Sequence, residues 1–237
     1  MTATIFHQSK DLIMKNIALL STLTVALTAS FGARAADTAE LKVKGVIKPA
    51  ACTASLAGAG IVDYGNIPAS QLNATNPTVL SEKTLSFSLN CDAATQIAIR
   101  LTDNRSSSVV TGIVKNISSR LTDTGAFGLG KFDGKNLGIY SVKLDNVRGD
   151  SKRASLIFYK QKNTDNWSVA SNGAAVGSGS YFAGDMKSWG WLSNTPAAYK
   201  TITGDLSVQA VLDKSSNLPT GNNIPLDGSA TLEVVYL

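Results

Sequence analysis

The chain has one histidine and two cysteines in 237 residues, and only 16% of it is charged. Each scarcity removes a class of function. The histidine, His7, lies in an N-terminal leader-like stretch; once that is removed, no imidazole remains for general-base work, metal ligation or pH switching. A serine nucleophile would lack its base, and no Ser-x-x-Lys falls on a helical pattern. Asp145, Asp150, Asp165 and Asp185 could in principle supply a glycosidase pair, but they are scattered singly, as on solvated loops. An enzyme is therefore not expected, and neither is a cofactor. The cysteines are too far apart, and too short of further ligands, for a metal site.

Long apolar runs are also missing. The most apolar stretch, Ile17 to Ala29, is 13 residues and carries Ser and Thr, short of the roughly 20 needed to span a bilayer. It follows Lys15 and precedes Ala33-Arg34-Ala35, a small-x-small cleavage pattern. That sequence of features describes a secretory signal peptide over residues 1–35, with Met1 or Met14 as its start. The remainder, 36–237, contains no Pro/Ser-rich linker and is read as a single domain. Removing Lys10, Lys15, Arg34 and Asp11 takes the formal charge from +5 to +3, which gives no electrostatic basis for binding nucleic acid or a membrane surface. An exported chain meets an oxidising compartment, where Cys52 and Cys91 are expected to pair.

What the chain does have is alternation. Leu41, Val43 and Val46 fall in Leu41 to Lys48 with lysines between them; Leu85, Phe87 and Leu89 alternate with polar residues up to Cys91; Ile97, Ile99 and Leu101 follow. Further runs cover Gly138 to Leu144, Ala154 to Tyr159, Leu206 to Leu212, and Ala230, Leu232, Val234 and Tyr236. Apolar/polar alternation over four to eight residues marks half-buried strands. Turn residues separate them, at Asp103-Asn104, Asp133-Gly134, Arg148-Gly149-Asp150, Asn172-Gly173 and Pro219 to Asn223. The pattern predicts an all-β sandwich or barrel.

Several of these segments resemble chaperone–usher pilins. Val43 to Cys52 is similar to the pilin strand that enters the first cysteine; Ile61 to Ile67 with Leu72 looks like the second element; Lys83 to Cys91 like the strand carrying the second cysteine; and Gly228 to Leu237 like the alternating C-terminus with its penultimate tyrosine. The longer middle, with Asp103-Asn104-Arg105, Phe127 to Gly130 and Asn136 to Tyr140, resembles the fimbria-like family known as domain of unknown function 1120. The resemblance implies an immunoglobulin-like, pilin-type β-sandwich lacking its final strand, with an enlarged middle region. It implies export to the periplasm or cell surface, and partnership with a periplasmic fimbrial chaperone, an outer-membrane usher and other fimbrial subunits. Ala230, Leu232, Val234, Tyr236 and the Leu237 carboxylate would dock on the chaperone. Ahead of Leu41 only the short, polar Ala36 to Glu40 is available for donation to a neighbour, so a terminal subunit or a complete sandwich stays open.

Three features invite sharper readings. Trp167, Tyr181, Phe182, Trp189, Trp191 and Tyr199 cluster within 33 residues. Exposed, Trp167, Tyr181, Trp189 and Trp191 could stack on a host glycan or protein; buried, the cluster forms extra core. Arg148-Gly149-Asp150 matches a tripeptide of integrin ligands, but Gly and Asp are also turn residues. The glycines between Gly173 and Gly184 lack the helix a phosphate loop requires and read as a loop.

Overall fold

In the computed structural model the described residues are 39–47, 50–154, 156–161, 166–169, 180–190, 195–219, 221 and 223–237. Residues 1–47 and 48–237 separate into two units. In the first, residues 39–47 form no strand, and Leu41, Val43, Val46 and Ile47 are 86–100% exposed. The strand expected over Leu41 to Lys48 is therefore corrected for residues 41–47, whose apolar side chains are exposed; Lys48 lies outside the described residues.

The second unit is all-β. Its strands are β1 (Cys52–Leu56), β2 (Thr78–Val79), β3 (Lys83–Thr95), β4 (Ile97–Asp103), β5 (Phe127–Gly128), β6 (Lys131–Phe132), β7 (Lys135–Asn136) and β8 (Gly138–Gly149). They continue with β9 (Lys152–Arg153), β10 (Leu156–Lys160), β11 (Ser168–Val169), β12 (Ser180–Tyr181), β13 (Met186–Gly190), β14 (Tyr199–Leu212) and β15 (Ala230–Tyr236). The larger sheet runs β1-β3-β14-β8-β12, with β2 on the end of β14 and β5 and β9 on β8; the smaller runs β11-β10-β13-β4-β15. All pairings are antiparallel.

The inner faces enclose one apolar core. Leu85, Phe87, Leu89 and Cys91 of β3 are buried while Ser86 and Asn90 are exposed, as the alternation predicts. Ile97, Ile99 and Leu101 of β4, Leu144 of β8, Trp189 of β13 and Ile202 of β14 complete the centre. Cys52 and Cys91, directly opposite across β1 and β3, form the disulfide.

The enlarged middle region has a place of its own. Ile113, Val114, Leu121 and Ala126 pack on Ile139 and Val211, which belong to β8 and β14 but face away from the sandwich core. That covering explains why the start of β8 is buried at every position instead of at alternate ones. Asp133 and Gly134, with φ of 47° and 74°, join β6 to β7, the positive-φ pair that a two-residue hairpin turn prefers.

A bulge divides β8. Asp205 pairs with Asp145 and Thr203 with Arg148, so Asn146 and Val147 stand opposite Gly204 alone. Asn146 takes a φ of 50°, which asparagine tolerates better than most residues. The extra residue shifts the strand's phase. Tyr140, Val142 and Leu144 face the core before it and Val147 after it, which turns Arg148 outward. The expected Arg148-Gly149-Asp150 turn lies further on: Asp150 and Ser151, at φ of 48° and 67°, join β8 to β9. The Asp150 carboxylate accepts the backbone N–H groups of Lys200 (3.1 Å) and Thr201 (2.9 Å), so the tripeptide is tied to β14 instead of presented as a ligand loop.

Candidate functional site

The most distinctive opening follows from where β15 sits. Among the described residues it is the last strand of its sheet and pairs only with β4, from Ala230↔Asp103 to Tyr236↔Ile97. Its apolar residues alternate towards the core, yet Leu232 and Val234 are only half-buried, whereas Ile97, Ile99 and Leu101 beside them are buried. Among the described residues no strand pairs with its outer side. A groove of about 290 Å³ runs there, its floor made by Leu85, Leu101, Val142, Leu206 and Val208 from four core strands. Leu56, Val62 and Tyr64 line one margin, and Leu129, Leu226, Ala230 and Leu232 the other.

Neither margin is sealed by a ladder. Residues 61–67 form no strand and are held by side chains: Val62, Tyr64 and Ile67 pack on the core, and the Tyr64 hydroxyl donates to the Val208 carbonyl at 3.1 Å. At the mouth, Arg105 clamps Asp227 through Nε (2.8 Å) and an Nη (3.1 Å), and the Asp227 N–H donates to the Leu129 carbonyl at 3.0 Å. The guanidinium holds the Asp227 carboxyl below its usual pKa. Gly228 lets this segment pass against Tyr140, whose Cε1 lies 2.9 Å from where a Cβ would stand. Burial pushes the phenols of Tyr140 and Tyr64 above their ordinary pKa. The site is a largely apolar trough beside backbone that no described strand pairs. Such an edge hydrogen-bonds an added strand through its main chain and receives alternate side chains in the apolar floor.

Among the residues expected to dock a partner, Ala230 and Leu232 line the groove, and Val234 packs half-buried on the core. Tyr236 and Leu237 are exposed; the Tyr236 hydroxyl accepts the Cys52 N–H at 2.7 Å, joining the C-terminal strand to the start of β1. The described aromatic residues do not assemble into a platform. Trp189 is 0% exposed, and Phe182 and Tyr199 are core residues, so Trp189 is corrected from a glycan contact to core packing. Trp167, which precedes β11, and Tyr181 of β12 are half-buried, and β11 and β12 belong to opposite sheets. Trp191 and the glycines from 173 to 179 lie outside the described residues. The groove lining that sequence reasoning missed, Val62, Tyr64, Leu129, Tyr140 and Leu226, comes from segments far apart in the chain with no shared local pattern.

Residues 41–141 match the family model described as protein of unknown function, DUF1120. The chain is 32% identical over 252 aligned residues to protein GltF of Escherichia coli K12, covering 94% of this chain and 98% of GltF. It is 28% identical over 257 residues to the uncharacterised protein YhcF of the same organism, covering 94% of this chain and all of YhcF.

Proposed function

Because the chain belongs to the DUF1120 family, and its sandwich leaves an apolar groove beside a free edge strand, we propose that it is an exported fimbria-like subunit held or assembled by β-strand addition. The observation that carries this is the half-burial of Leu232 and Val234 on a strand whose outer side is unpaired. The occupant is an extended segment with apolar residues at every second position, because a pleated strand directs those to one face. A periplasmic fimbrial chaperone supplies it first and another subunit later, with an outer-membrane usher as the assembly site. Residues 41–47 have the pattern of a donated strand: Leu41, Val43, Gly45 and Ile47 alternate, and the three apolar side chains are exposed. They lengthen the extension first read as Ala36 to Glu40 alone.

No catalytic step enters this proposal. A glycan- or host-binding role for the Trp/Tyr-rich region has less support, since Trp189 offers no surface. Producing the chain in a periplasm with and without a fimbrial chaperone tests the reading. Loss of the chain alone and recovery as a one-to-one complex is the expected result; a stable, unaided monomer that ignores the chaperone would refute it.

A further inference from the structure

The outer face of the larger sheet is covered at one end by residues 113–126, and among the described residues nothing covers the other. In the open half, Ser55, Ser88, Thr203, Arg148 and Arg153 form one row across five neighbouring strands, each residue the register partner of the next. At the usual strand spacing the row is roughly 19 Å long. It crosses a cleft of about 670 Å³, within the range of small-molecule sites.

The charges in this cleft are arranged at a cost. Arg148 and Arg153 stand directly opposite each other in the β8–β9 ladder, and like charges so placed destabilise a sheet. Among the described residues neither is ion-paired. Each makes only one long hydrogen bond, Arg148 to the Ser151 carbonyl and Arg153 to the Asn146 side-chain carbonyl, both 3.4 Å. Asp205 also lines the cleft, but its carboxylate is held by Ser86 Oγ at 2.8 Å and Asn146 Nδ2 at 2.9 Å and pairs with neither arginine. Ser55 and Ser88 share one hydrogen bond at 2.7 Å, which leaves hydroxyl capacity facing the cleft. The bulge at Asn146 is what turns Arg148 out to meet Arg153, and bulges recur where a strand re-aims a side chain beside a site.

We propose that this cleft binds an acidic saccharide, with Arg148 and Arg153 taking its carboxylate or sulfate and Ser55, Ser88 and Thr203 hydrogen-bonding its hydroxyls. Each guanidinium presents a planar donor fork that matches a carboxylate or sulfate, and the hydroxyl row suits a polyhydroxylated ring. Asp205 and Asp145 occupy the neighbouring row of the same sheet, which confines the positive charge to the Arg148–Arg153 end of the cleft and suits a ligand with a single anionic group, not a continuous phosphate backbone. The cleft meets the strand-accepting groove at Leu56, which lines both, but its arginines and hydroxyls line the cleft alone.

The test is calorimetric titration of the mature protein, in the chaperone complex if it requires one, with sialyllactose, a trigalacturonate and a sulfated galactose disaccharide beside lactose. At least one acidic probe should bind more tightly than lactose and lose affinity as salt is raised. Which acid binds separates carboxylate from sulfate recognition. R148Q and R153Q should each weaken that binding roughly 10- to 100-fold, and R148K should recover only part of it, since an ammonium cannot form the fork. Both glutamine variants should melt no lower than the parent, because a like-charge pair is removed. No preference for any acidic probe, or binding indifferent to both glutamine variants, would overturn the proposal.

Discussion

Lys187 Nζ lies 2.7 Å from Asp185 Oδ2, and the two side chains are only 3% and 7% exposed. The ammonium also sits 5.3 Å from the Tyr159 ring and 6.0 Å from Phe182. Burial pushes the lysine pKa down while the carboxylate pulls it back up, burial being the stronger influence. Removing one partner leaves the other charge uncompensated in the interior. Lys187→Met should therefore cost about 3–5 kcal/mol, whereas the double variant Asp185→Leu/Lys187→Met should recover much of the loss. Urea unfolding of the three proteins measures this, and an additive double variant would contradict it.

Cys52 and Cys91 close a 40-residue loop between paired strands. On the chain-entropy model the bond stabilises the fold by about 4 kcal/mol. Replacing both cysteines with serine should lower the denaturation midpoint accordingly. Equal midpoints for the two proteins would show that the bond contributes nothing.

The folded protein should lose stability in alkali. Burial raises the pKa of Tyr140, Tyr64 and Tyr199 above their usual value near 10. A raised folded-state pKa means the unfolded chain ionises first, so the contribution is intact below about pH 10 and is lost as pH climbs towards the folded values. Tyr140→Phe should flatten the fall in stability between pH 9.5 and 11 (roughly the onset of phenol ionisation). An unchanged slope would show that Tyr140 does not drive it.

Tyr199 provides a complementary case. Its ring fills the space above Gly149, within 2.3 Å of where a Cβ would stand, but its buried hydroxyl has no hydrogen-bond partner. Tyr199→Phe keeps the ring and removes an unsatisfied polar group, so it should be neutral or stabilising by about 1 kcal/mol. A marked drop in melting temperature would mean that the hydroxyl has a partner in solution.

Strands whose two faces differ in environment were legible in the sequence. Leu85-Phe87-Leu89, Ile97-Ile99-Leu101 and Leu232-Val234 alternate because one face meets the core, and their strands fall where the alternation places them. The same signal misled at Leu41 to Ile47, since alternation states that a segment can cover an apolar surface but not that its own chain provides one. β8 was read only to Leu144 because the bulge at Asn146 breaks the period, hiding both its last turn of phase and the outward placement of Arg148. The disulfide followed from the expectation of export and the cysteine count. The groove and the arginine cleft did not, because both are made by cross-strand register, which no local window contains.

The central claim is that the free side of β15 accepts a strand, and hydrogen–deuterium exchange tests it most directly. Amides of β15 that point away from β4 should exchange quickly in the chain alone and slowly in its complex with a fimbrial chaperone, while those bonded to β4 change little. Failure to form a complex, or the same exchange at the outward amides in both samples, would contradict strand addition at this edge.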